Sequence, residues 1–249
     1  MNGEQLALSK LLKLAKGYHS ALKVPEQATD WLDIQSSSLL VARLHQYWQQ
    51  QYPAAGRSYW AIKSWGMLYW QPLYLAVISV HELTMSFSLQ PMQQHYQQGV
   101  IAGLQLPTIK AQHHHSQQQA ITNMAAHLKC YVVKLLTDLN LVARFNERLA
   151  MSLLADTLLA ILLLHAKRRS NFDIQAMAAY WLNALEITEA GEFTVFACCS
   201  KAPCLALTRK TCCLHYQIGD VAKCANCPKQ PQQIKVQRMQ QELITTCCS

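Results

Sequence analysis

Four cysteines near the end of the chain are spaced as ligands of one centre. Thr211-Cys212-Cys213-Leu214-His215-Tyr216 is followed by Lys223-Cys224-Ala225-Asn226-Cys227-Pro228, giving the pattern C-C-x10-C-x2-C within sixteen positions. Thiolates are soft, strong ligands for zinc and for iron–sulfur clusters. A C-x2-C turn brings two sulfurs to one metal. The adjacent pair is less usual, because neighbouring side chains on extended backbone point to opposite sides. Cys212 and Cys213 therefore need a bent backbone to share a metal, or they contact different irons of a two-iron cluster. Spacing alone leaves zinc and iron–sulfur equally open.

The other cysteines do not complete a second set of this kind. Cys198, Cys199 and Cys204 precede the pattern and Cys247-Cys248 follow it. They read as free thiols, and Cys130 as a small residue within a helix. Ten cysteines would suggest disulfides in a secreted chain. The start, Met1 to Lys16, carries Glu4 and scattered lysines and lacks the compact apolar run of an export signal. The expected compartment is the reducing cytoplasm.

The rest of the chain must position the thiols. Half of the 249 residues are apolar, with few glycines and prolines, a mixture that favours helices. Helical stripes cover Gln5–Leu22, Leu39–Tyr52 (with an N-cap in Ser36-Ser37-Ser38), Ala54–Trp70, Ser116–Leu139, Ala143–Lys167 and Asn171 or Asp173 to Leu185. Pro72 is expected to break or kink the third, with Leu73–His81 in the core. The run Leu149–Ala166 is nearly long enough for a bilayer, which takes roughly 20 apolar residues. Asp156 interrupts it, so it reads as a buried core helix, its carboxylate paired. A peripheral inner-membrane contact is the alternative. Thr84–Leu89 alternates with period two and Gly99–Leu106 is strand-like, giving a small antiparallel hairpin or meander. Phe193–Cys199 is strand-like as well. The fold class is thus mainly α with a small antiparallel β-hairpin or meander: a helical substrate domain over residues 1–190, then a short cysteine-rich module over 191–249.

Charge is distributed unevenly. The net charge is +8, and between Ile34 and Thr137 the only acidic residue is Glu82, against six lysines and arginines and seven histidines. Such a field attracts an anionic partner, and it argues against chemistry by paired carboxylates. The run Arg57, Tyr59, Trp60, Lys63, Trp65, Tyr69, Trp70 suits a partly apolar anionic ligand, although each aromatic alone reads equally as core. His113, His114 and His115 fall in a polar loop and could line the same cleft. There is no P-loop, no G-x-G-x-x-G and no G-x-S-x-G.

The pattern Cys212-Cys213, Cys224, Cys227, with Arg209-Lys210 before it, Tyr216 within it and Pro228 directly after it, resembles the C-terminal motif of the FhuF-type ferric-siderophore reductases. The resemblance is specific over residues 209–228 and general elsewhere. It implies a [2Fe–2S] cluster held by Cys212, Cys213, Cys224 and Cys227, and a mainly helical N-terminal domain that holds the ferric chelate. It also implies a reduced electron donor, such as a ferredoxin or an NAD(P)H-dependent flavoprotein. The activity would be that of an oxidoreductase: one-electron reduction of siderophore-bound Fe(III), with release of the metal in the cytoplasm. Arg209, Lys210 and Lys223 would then stabilise the more negative reduced cluster, and His215 would lie beside a cluster sulfur. Arg57, Lys63, Trp65, Tyr69, Trp70, His113 and His114 are the residues expected to contact the chelate. The alternative is a zinc-stabilised binding protein whose basic, aromatic surface meets nucleic acid or a siderophore without redox activity. The modest number of lysines and arginines and the lack of a nucleic-acid fold motif disfavour a nucleic-acid partner.

Overall fold

The computed structural model describes residues 3–26, 29–169, 171–197 and 204–247. Among these it contains seven α-helices and three small antiparallel sheets. The helices are α1 (Gly3–Tyr18), α2 (Ser38–Gln51), α3 (Gly56–Leu83), α4 (Gln117–Asn140), α5 (Glu147–Ala166), α6 (Ile174–Ala184) and α7 (Gln232–Cys247). Helix α3 is the axis of the molecule, packing against α1, α2, α4 and α5. Its sequence explains this: Tyr59, Trp65, Leu68, Leu73, Leu75, Val77 and Val80 are buried on several faces at once, as expected of a helix with no solvent side.

Pro72 does not break α3, which runs unbroken through it. A proline removes one backbone hydrogen bond. Here its neighbours Leu68, Leu73, Leu75 and Ala76 are all fully buried, and their packing offsets that loss. The later helices begin where side-chain caps place them. Ser116 accepts from the Gln119 N–H, Asn146 from Leu149 and Asp173 from Ala176. Helix α5 is long and apolar enough to cross a membrane, yet it packs inside the bundle against α3 and α6.

Strands form in the expected segments Gly99–Leu106 and Phe193–Cys199, and others form where none was expected. The three-stranded sheet has the order β1 (Trp31–Asp33), β3 (Gln93–Gln97), β4 (Val100–Gln105). The β3–β4 turn places both Gln98 and Gly99 at positive φ, +47° and +78°, the backbone of a tight hairpin turn. Strand β3 reads as polar, but Gln94 is fully buried and donates to Gln71 of α3 at 3.2 Å. The alternating segment after Thr84 yields only β2 (Met85–Ser86), paired with β5 (Gln112–His113). Strands β6 (Glu192–Phe196) and β7 (Cys204–Thr208) form a separate hairpin with five paired positions. The hairpin, the Cys224–Cys227 turn and α7 share a small second core of Phe196, Ala206, Ala225 and Met239. Cys198 and Cys199 lie outside the described residues. Cys204, expected as a free thiol, is disulfide-bonded.

At the C-terminal ends of α3 and α5, a polar network closes on itself. The Tyr18 hydroxyl donates to Glu82 Oε1 at 2.7 Å and lies 2.6 Å from His165 Nδ1. Arg169 pairs with the same carboxylate, and Trp181 Nε1 donates to His81 Nε2 at 2.9 Å. Burial, reinforced by the neighbouring His165, pulls the His81 pKa down to about 3.

Candidate metal centre

Strand β7 packs against α5, and the thiol segment shares a cavity with Asp156, Thr157 and Ala160 of that helix. The approach to Cys212 is fixed by Asp156, which sits in mid-helix and is 1% exposed. Its Oδ1 accepts from the N–H groups of Gly191 (2.8 Å) and Lys210 (3.2 Å). Its Oδ2 accepts from the N–H of Thr211 (2.8 Å) and from the Thr211 hydroxyl. Arg209 Nε lies 3.7 Å from Oδ2. The backbone then turns sharply, because Leu214 adopts the left-handed region at φ +56°. That conformation costs about 1–2 kcal/mol for a residue with a Cβ. The Leu214 side chain packs on the main core and its N–H donates to Cys212 Sγ at 3.4 Å. The turn follows the adjacent cysteine pair and aims the Leu214 N–H back at the Cys212 sulfur.

The C-x2-C segment is a separate turn, closed by the Cys227 N–H donating to the Cys224 carbonyl at 3.0 Å. Gln230 Nε2 donates to the carbonyls of Cys224 (2.8 Å) and Ala225 (2.9 Å). Arg238 of α7 holds Gln230 in turn, 2.6 Å from its Oε1. Asn226 Nδ2 ties the turn to β7 through the Leu207 carbonyl at 3.0 Å. None of Asp156, Asn226, Gln230 and Arg238, nor α7 itself, follows from the spacing of the thiols. A C-x2-C turn does need its carbonyls satisfied, and the nearby glutamine was the available signal.

All four thiols line one cavity of about 380 Å³, together with Asp156, Arg209, His215 and Tyr216. None of the four is in a disulfide. Cys212 Sγ and Cys227 Sγ are 3.5 Å apart. Two thiolates on one tetrahedral metal with bonds of about 2.3 Å would sit roughly 3.8 Å apart. Among the described residues no three His, Cys, Asp or Glu side chains converge to hold a single ion. Burial raises the pKa of the Cys212 and Cys224 thiols, so ionising them calls for positive charge. Arg209 is such a charge: burial works against it, but Cys213, Asp156 and Cys224 outweigh burial and raise its pKa.

A second cleft, of about 310 Å³, adjoins the first and shares Cys213, His215, Arg209 and Thr157 with it. Its other wall is a stripe of α3: Lys63, Gly66, Met67 and Trp70, spaced i, i+3, i+4, i+7 on one helix face. Lys63 also lies 5.0 Å over the Trp48 ring. Burial lowers its pKa, while the nearby Cys213 works in the other direction. A Cβ on Gly66 would meet nothing within 4 Å.

The residues expected to contact a chelate therefore divide. Lys63, Tyr69 and Trp70 line this cleft with Arg209 and His215. Arg57 does not; it lines a different cavity with His45, Arg144 and Phe145, because the first turn of α3 lies beyond the cleft. Trp65 is fully buried and donates to the Ala150 carbonyl at 2.8 Å, so it is a core residue. His113 and His114 line neither cavity: His113 pairs in β5, and His114 Nε2 lies 2.8 Å from Ser86 Oγ. Around the thiols, His215 Nδ1 lies 3.4 Å from the Tyr59 hydroxyl. Lys210 contributes its backbone N–H while its side chain is exposed. Lys223 reaches over the Tyr216 ring at 5.2 Å and donates to the Lys229 carbonyl.

Residues 209–229 match the family model of the FhuF 2Fe-2S C-terminal domain, and the four cysteines lie within the matched stretch. The cofactor of that domain is a [2Fe–2S] cluster. The donors present fit it: four free thiols that line one shared cavity. No solved structure matches the chain.

Proposed function

We propose that this chain, which carries the FhuF-type [2Fe–2S] domain, is a ferric-siderophore reductase with Cys212, Cys213, Cys224 and Cys227 as the cluster ligands. Bound there, the cluster supplies one electron at a time. The observation that supports the reading best is the place of Cys213. It is the one of the four thiols that lines both the thiol cavity and the adjoining cleft, so an acceptor in the cleft sits next to a ligand of the donor.

The cleft has the chemistry for a bulky anionic chelate. Lys63 and Arg209 provide positive charge, while Ile62, Met67, Trp70 and Leu153 provide apolar wall, and among the described residues no carboxylate lines it. A siderophore grips Fe(III) with hard oxygen ligands and Fe(II) far more weakly, so adding one electron to the iron loosens it without breaking a bond of the chelator. The electron originates in a reduced protein or flavin donor. The residues need only bind and orient the chelate and hold the positive charge of Arg209 beside the thiols. No nucleophile or general base is required.

Purification without oxygen tests the assignment. The expected protein is red-brown with iron and acid-labile sulfide in equal amounts, and when reduced with dithionite it passes electrons to a ferric siderophore, read with a ferrous-iron dye. A colourless protein holding one zinc would overturn it.

A further inference from the structure

The matched family segment begins at residue 209, yet the side chain that fixes the path of the chain into Cys212 lies on α5. We infer that Asp156 is the positioning residue of the cluster: it fixes the cluster-bearing segment against the helical domain, and its negative charge holds the reduction potential down. The inference depends on the [2Fe–2S] domain and not on the identity of the acceptor.

Geometry carries it. Asp156 receives hydrogen bonds from three backbone N–H groups and one hydroxyl, two on each oxygen. These donors come from both ends of the β6–β7 hairpin: Gly191 before β6, and Lys210 and Thr211 after β7. Thr211 is bonded directly to Cys212. Gly191 permits the approach, since a Cβ there would come within 2.4 Å of the Thr208 carbonyl and 2.8 Å of Asp156 Oδ1. A buried carboxylate that only completed a helix core would not do this. Asp156 lines the same cavity as the four thiols, with the Arg209 guanidinium close by.

Two consequences follow. First, an amide cannot replace the carboxylate. In either orientation, the NH2 of an asparagine would face at least one backbone N–H, of Gly191 and Lys210 or of Thr211. Second, removing the negative charge leaves Arg209 uncompensated beside the cluster, which favours the more negative, reduced state. The potential of the variant therefore rises.

The test uses the full-length holoprotein, with no siderophore and no donor protein. Asp156→Asn and wild type are compared by anaerobic bleaching of the visible spectrum in EDTA, by dye-mediated redox titration and by amide hydrogen exchange. The expected result is bleaching roughly tenfold faster, since the charge that accepts these hydrogen bonds is gone. The potential should rise and exchange protection at Gly191, Lys210 and Thr211 should be lost, while the melting of the helical domain stays close to wild type. A bleaching rate equal to wild type, or a potential that is unchanged or lower, overturns the inference. Should Asp156→Asn not fold, Thr211→Val removes one donor and keeps the charge. Bleaching a few-fold faster with unchanged melting then supports the clamp, and unchanged bleaching overturns it.

Discussion

At the C-terminal end of the α3–α5 pair, Glu82 is shared by Tyr18, His165 and Arg169. On α5, Asp156 lies nine residues before His165, or about 14 Å along the helix, and receives its donors from a different part of the chain. Both carboxylates are almost fully enclosed. Glu82 joins groups within the helical bundle, and nothing in its network is left facing thiols. Asp156 joins the bundle to the cysteine segment, and the positive charge near it, Arg209, borders a cleft that Lys63 also lines. The same kind of buried group thus serves stability at one end and the placement of a reactive centre at the other. Separate experiments can pull the two apart.

The largest effect is expected from Cys213→Ser. Cluster content, read as iron and sulfide per chain, should fall close to zero while far-UV circular dichroism is retained. Retention of a full cluster would show that Cys213 is not a ligand. At the other end, Glu82→Ala should cost about 2–3 kcal/mol in urea unfolding, from the loss of hydrogen bonds to a charged group, with no change in the visible spectrum. Acid should find the same end. The pKa of His81 is lower in the folded state than the ordinary histidine value of 6.5, so protonation favours the unfolded chain. The stabilisation is present above pH 6.5 and is lost as pH falls. Between pH 7.5 and pH 5 the loss should be about 2 kcal/mol, read by urea melts at each pH. If stability is flat over that range, the buried neutral histidine is wrong. Lys63→Ala tests the cleft: KM for a ferric siderophore should rise about tenfold, about 1.4 kcal/mol of binding, with kcat and cluster content nearly unchanged.

The contrast also shows what the sequence makes legible. Helices α4 and α6 could be placed from caps and periodicity, because Ser116 and Asp173 act within three residues. The thiol pattern was legible for the same reason, since its two bites are local turns. What spans the chain was not. Asp156 could be read as a paired core carboxylate, but its partners lie 35 to 55 residues away. Strand β3 was hidden because its buried glutamine is satisfied by another glutamine on α3. In the aromatic run, charge and ring content grouped Arg57 and Trp65 with Lys63 and Trp70. The rotation of α3 separates them, and the spacing of Lys63, Gly66, Met67 and Trp70 already contained that division.

Gly66 lies in the middle of that stripe. In a helix interior, glycine is less stable than alanine by about 1 kcal/mol, and here an added methyl would meet no neighbour. What the glycine maintains is room along the α3 wall of the cleft. If the cleft holds the acceptor as proposed, Gly66 is its size gauge: Gly66→Ala should raise the melting temperature slightly, and Gly66→Leu should exclude large chelates before small ones. The range of acceptors the protein takes can then be narrowed at a single position, without touching a thiol or a charge.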